Sequence, residues 1–160
     1  MNTHLKYIED LTLKAIKNVN CEKPPVPIEK IPEKFGLEVV EFPFHNNVSG
    51  LLKKEQGVIG VNQGHHPVRK RFTIAHELGH FLLGHEMGKD ELVDDSFNMP
   101  YPQEREANIF ASLILMPTDW VKKSVKENGM NDSLIETLAK EYVVSKQSAT
   151  IRLLELNLIK

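Results

Sequence analysis

One stretch, Arg71–His85 (RFTIAHELGHFLLGH), constrains this chain more than any other. It holds His76-Glu77-Leu78-Gly79-His80, an HExxH, inside an apolar helical pattern. Residues four apart lie on one face of an α-helix, so the imidazoles of His76 and His80 can reach a single ion. Zinc accepts imidazole nitrogen at about 2.0–2.1 Å and favours four tetrahedral positions. Glu77, beside the first histidine, is set to act on a water rather than to hold the metal, which is the core of a zinc hydrolase site. The same spacing fits an amphipathic helix with two surface histidines. Against that, Phe72, Ile74, Ala75, Leu78, Phe81, Leu82 and Leu83 predict a buried helix, and a buried histidine needs a partner.

At 160 residues the chain is one domain, or one domain with a small appendage. A formal net charge of −2 gives no electrostatic basis for binding nucleic acid. The single Cys21 excludes an internal disulfide and suggests a reducing compartment. The start, MNTHLKYIED, has no secretory pattern, and the apolar runs fall well short of the ~20 residues that span a bilayer. A cytoplasmic protein without a membrane partner is expected.

Apolar residues from Leu5 to Val19 recur at helical spacing and predict a helix over 4–19. Residues 28–35 read as a short helix interrupted by Pro32, with Gly36 at its end. Segments 37–42, 48–54 and 58–62 read as three short strands in a small antiparallel sheet, one edge of which could pair with an extended peptide. Residues 85–101 read as a long polar loop, a lid or a connector. Gln103–Met116 reads as a second strong helix ended by Pro117. Thr118 is expected to cap a third helix to about Asn128. A fourth helix ends near Tyr142, and Ser145 caps the last, giving a helix-turn-helix outline.

The third ligand is not His85. In HExxHxxGxxH sites a later histidine completes the set, but in HELGHFLLGHE both Gly84 and His85 miss that register by one residue, so His85 reads as a surface or loop residue. A glutamate on helix 103–116 remains. Glu104 shares a face with Ala107, Asn108 and Ala111, and Ala75 and Gly79 flank the HExxH histidines. Small residues on both surfaces let two helices approach closely enough for a carboxylate to bridge. Glu106 shares its face with the bulkier Phe110 and Leu113. Glu104 is therefore preferred, with Asn108 one turn on as a hydrogen-bond partner for a ligating histidine. His65 and His66 read as loop residues, because an open zinc site rarely takes more than three protein ligands.

RFTIAHELGHFLLGH followed by EREANIFASLILMP resembles the ImmA/IrrE family of zinc metallopeptidases. The resemblance extends to PVPIEKIPEKFGLEVVEF, VSGLLKKEQGVIGVN and VSKQSATIRLLELNLI, in the family's order. It implies an α+β fold: a three-stranded sheet packed on the HExxH helix, then an all-helical C-terminal part. The expected division is a metallopeptidase core at 1–117 and a helical subdomain at 118–160. The resemblance also implies one zinc ion per chain on His76, His80 and a glutamate of the second motif, which the ExEAN pattern places at Glu104. Its implied substrate is a helix-turn-helix repressor. In such a site Glu77 is the base, and Tyr101, His65, His66 and Tyr142 are candidates to stabilise the oxyanion. Two rivals are a metal-containing regulator without proteolysis and a DNA-binding regulator using residues 132–157. A structural zinc site needs no base, which disfavours the first; Glu155 and the overall acidity disfavour the second.

Overall fold

The computed structural model describes residues 2–86, 92–94 and 102–160. Helix α1 spans Thr3–Lys17, opened by Asn2, whose side chain accepts the Leu5 N–H at 2.7 Å. The predicted short helix at 28–35 is instead two 3-10 turns, Ile28–Lys30 and Pro32–Phe35, closed by Gly36 at φ 78°. Pro32 heads the second turn, where its missing N–H costs nothing.

Strands β1 (Glu38–Phe42), β2 (Val48–Lys53) and β3 (Val58–Asn62) fall where the sequence placed them. Their order differs from a simple antiparallel meander. The sheet runs β1-β3-β2-β4, where β4 is Leu92–Asp94. β2 pairs antiparallel with β3 and β4, but β1 lies parallel to β3, so the sheet is mixed. Burial explains this order. β3 is covered over Ile59–Asn62 and takes an inner position, whereas β1 is half-exposed and takes an edge. β4 comes from the stretch read as a loop, and it pairs along the side of β2 away from β3.

Helix α2 (Pro67–Leu82) packs on β2 and β3. Pro67 occupies its first turn, and His66 caps it by accepting the Val68 N–H at 3.1 Å. Helix α3 (Pro102–Leu115) lies against both α2 and α1. A Cβ built on Gly79 of α2 would sit 3.0 Å from Phe110 Cβ, Cγ and Cδ1 on α3, so the two backbones come together only because position 79 has no side chain. Gly79→Val should cost about 1–3 kcal/mol through overpacking. At 2–4 °C per kcal/mol for a chain of this size, the melting temperature should drop by roughly 2–12 °C. An unchanged melting curve would show that this contact is not tight.

Helices α4 (Thr118–Asn128), α5 (Leu134–Tyr142) and α6 (Lys146–Glu155) complete the chain. Ser145 caps α6 by accepting the Ser148 N–H. Thr118, expected as the cap of α4, is that helix's first residue and Pro117 precedes it; the Thr118 hydroxyl donates to Glu9 on α1 at 2.7 Å. α5 and α6 are joined through Val143, which has φ 54° and ψ 58°, an uncommon conformation for a β-branched residue. Two buried arginines tie these helices to the rest. Arg71 donates to the carbonyls of Val26 and Val143 and pairs with Glu29. Arg152 donates to the Met116 carbonyl at 3.0 Å and to Thr118 at 2.8 Å. One apolar cluster runs through both halves, from Ile8 and Ile59 to Leu138 and Leu153.

Tyr142 is fully buried, its hydroxyl bonded to Ser124 at 2.8 Å. Burial pushes its phenol up to about 12 from an ordinary 10.0, and the nearby Glu141 and Glu127 add to this. The folded state therefore holds this proton more tightly than the unfolded chain. That stabilisation is fully present below pH 10 and is lost as the pH rises toward 12. Phenolate absorbance and circular dichroism followed together should show one tyrosine ionising late, together with loss of helix. Ionisation of all three tyrosines near pH 10 with helix retained would contradict the assignment.

Candidate metal centre

Helices α2 and α3 bring His76, His80 and Glu104 together; their ligand atoms all lie within 4.8 Å of one another. Glu104 Oε2 is 2.9 Å from His76 Nε2, Glu104 Oε1 is 2.9 Å from His80 Nε2, and the two Nε2 atoms are 3.2 Å apart. His76, Glu77 and His80 are 1%, 0% and 0% exposed, and the Glu104 side chain 13%. Two imidazoles at i and i+4 face a carboxylate across the close α2–α3 contact. Ala75, Ala107 and Ala111, all fully buried, and Gly79 keep that contact tight.

The outer nitrogens settle which atoms face inward. His76 Nδ1–H donates to Asn108 Oδ1 at 2.8 Å, leaving Nε2 as the lone-pair nitrogen. His80 Nδ1 lies 2.9 Å from His85 Nδ1, and His85 Nε2 lies 2.7 Å from Glu106 Oε1. Read from the carboxylate outward, His85 Nε2–H donates to Glu106, its Nδ1 accepts from His80 Nδ1–H, and His80 Nε2 is again left with a lone pair. His4 of α1 bonds the other Glu106 oxygen. Burial, chiefly, lowers the pKa of His80 and favours its neutral form; His76 and His85 act in the same direction. Burial alone would raise the Glu104 carboxyl, but the His76 and His80 rings it faces hold it well below the usual carboxylate range, so it stands as a carboxylate. Two neutral imidazole lone pairs and a carboxylate thus converge on one point. Tetrahedral zinc with bonds of about 2.05 Å would set its ligands ~3.3 Å apart. The observed 2.9–3.2 Å fits that donor set.

His85, expected as a surface or loop residue, does lie just beyond α2, but it is buried and braces His80. The signal was present in the sequence. Gly84 follows α2 at φ 69°, Gly84 N–H bonds the Phe81 carbonyl, and His85 N–H bonds the His80 carbonyl. This is the Schellman helix end, which folds the second residue beyond the helix back toward the last turn. Glu106 points to His85 and His4 rather than to the triad. His65 lies beside the Asn46 carbonyl at 3.1 Å, and His66 serves as the α2 cap. The Tyr142 hydroxyl is engaged by Ser124. Tyr101 lies outside the described residues.

This fold, with an HExxH helix and a glutamate helix meeting at a His-His-Glu cluster, defines a metallopeptidase-type scaffold. Residues 32–154 match the IrrE N-terminal-like domain, and the chain belongs to that peptidase family. It is 33% identical over 112 residues to the radiation response metalloprotease IrrE of Deinococcus radiodurans, covering 66% of this chain and 33% of that protein. The IrrE of Deinococcus deserti is 31% identical over 112 residues, covering 39% of its length. The chain thus spans little more than a third of these relatives. Among solved structures, a Mycobacterium tuberculosis transcriptional regulator superposes with a TM-score of 0.66 over 92% of this chain and 46% of its own, at 15% identity, a likeness of fold. Among the described residues, no helix is long and apolar enough to cross a membrane.

Proposed function

We propose that this chain is a zinc-dependent endopeptidase of the cytoplasm that cleaves a helix-turn-helix repressor at a specific peptide bond. The convergence of His76, His80 and Glu104 beside the buried Glu77 carries this reading. Family membership and the metalloprotease relatives support it.

His76, His80 and Glu104 would hold one zinc ion and Asn108 would orient His76. When bound, zinc supplies a Lewis acid that lowers the pKa of a water from 15.7 to about 7 and polarises a carbonyl. The chain's own residues do the rest. Glu77 accepts the attacking water's proton at its carboxylate and passes it to the leaving amine nitrogen. Glu77 is fully buried, which strengthens these charge interactions.

The test is co-expression with the product of a neighbouring repressor gene, followed by intact-mass analysis. Two fragments whose masses sum to the repressor plus one water are expected, and a chelator should abolish them. A repressor that stays whole with the zinc-loaded protein in equal amount would refute the substrate assignment.

A further inference from the structure

Four side chains form one hydrogen-bonded line from the metal cluster to the protein surface. His80, fully buried on α2, sets its Nδ1 at 2.9 Å from His85 Nδ1. His85 Nε2–H donates to Glu106 Oε1 at 2.7 Å, and Glu106 Oε2 accepts from His4 Nε2–H on the first turn of α1. The His4 side chain is 59% exposed, so the line reaches solvent. It joins three helices, α2, α3 and α1. Its middle is also pinned by the backbone. Lys54, in the β2–β3 turn, donates to the His85 carbonyl at 2.9 Å, and the His85 N–H bonds the His80 carbonyl at 3.1 Å.

We infer that His4 and His85 are positioning residues of the metal centre, and that metal binding and docking of the first turn of α1 strengthen each other through Glu106. The inference rests on the metal-binding part of the reading above and not on the substrate. The direction of each bond follows from the chemistry of its members. An ionised carboxylate only accepts, so both histidines donate to Glu106. A neutral imidazole that donates at Nε2 accepts at Nδ1. His85 therefore draws the His80 proton to Nδ1 and leaves Nε2 with the lone pair a metal takes. With His4 in place, Glu106 is bonded at both oxygens and its carboxylate is fixed against His85. Without His4, one oxygen is released to water and the carboxylate is free to turn. An exposed pair of this kind adds little to the fold by itself, so its effect is expected at the metal. Coupling of this sort is reciprocal: the factor that docked α1 adds to metal affinity, the metal adds to docking. Lifting the turn off α3 thus loosens the ion from outside the site.

Zinc affinity by chelator competition and hydrogen exchange in α1 test this together. His85→Phe, which keeps a ring and removes both nitrogens, should weaken zinc by about 10–100-fold. His4→Ala, at an exposed site that puts no strain on the fold, should weaken it by about 5-fold. His4→Gln, whose amide nitrogen can donate in place of Nε2, should restore the wild-type affinity. The double variant His4→Ala/His85→Phe should bind no more weakly than His85→Phe alone, whereas independent residues would multiply to a loss of about 50–500-fold. Zinc should slow exchange of the Leu5 and Lys6 amides, both bonded to Asn2, by about 5-fold in wild type and not in His85→Phe. Thr118→Val removes the α1 anchor at Glu9 without touching the line, and should leave zinc affinity unchanged. Multiplied losses in the double variant, exchange that ignores zinc, or a Thr118→Val loss equal to that of His4→Ala would overturn the inference. A wild-type chain that binds no zinc would overturn the metal reading and this inference with it. The coupling found without cleavage of any repressor would uphold the inference and count against the substrate alone.

Discussion

Glu77→Gln should leave one zinc ion per chain and reduce repressor cleavage by about 10²–10⁴-fold, the usual worth of a positioned general base. The substitution keeps the shape of the side chain and removes its ability to take a proton. Glu77 is fully buried between the two histidines in sequence, while the three cluster atoms are supplied by His76, His80 and Glu104. Metal content should therefore be insensitive to it, and the loss should appear in kcat with KM nearly unchanged, because the interaction removed is one made in the transition state. Zinc measured by mass spectrometry beside single-turnover cleavage reads both. Cleavage at the wild-type rate would exclude Glu77 as the base. Loss of zinc would make it part of the metal's support instead.

Much of this architecture was legible because it is local. The i, i+4 spacing of His76 and His80 and the helical period around them needed no tertiary information. Ala75, Gly79, Ala107 and Ala111 foretold the close α2–α3 approach, since only small residues permit it. Strand positions were legible from Val and Phe content, but strand order was not. Whether β1 joins β2 or β3 depends on which strand is covered on both faces, and that is decided by packing from elsewhere in the chain.

Residues whose role is set by distant partners were harder to read. Thr118 is a good cap by composition, yet its hydroxyl goes to Glu9, more than a hundred residues away. His85 misses the register of a metal ligand, although the glycine before it carries the cue that the chain turns back onto His80. His4 gave no cue at all. It is an exposed residue on α1, and it meets Glu106 only because α1 packs on α3.

The glutamate on α3 is where sequence and geometry can be tested against each other most sharply. Glu104 offers one carboxylate oxygen to each histidine, at 2.9 Å in both cases, whereas Glu106 reaches the cluster only through His85. Removing a direct ligand should cost more than removing an outer hydrogen-bond partner, which typically lowers metal affinity by 10–100-fold. Glu104→Ala should therefore bind zinc more than about 100-fold more weakly than wild type, and Glu106→Ala should fall within that smaller range. The difference carries over into thermal stability. At a zinc concentration of 1,000 times Kd, binding adds about 4.1 kcal/mol to the folded state. A 100-fold weaker site at the same concentration adds only about 1.4 kcal/mol. At 2–4 °C per kcal/mol, zinc should raise the wild-type melting temperature by about 8–16 °C and that of Glu104→Ala by no more than about 3–6 °C. Chelator competition gives the affinities independently. Zinc retained in Glu104→Ala but lost in Glu106→Ala would move the third ligand to Glu106, and with it the line along which α2 and α3 must be read.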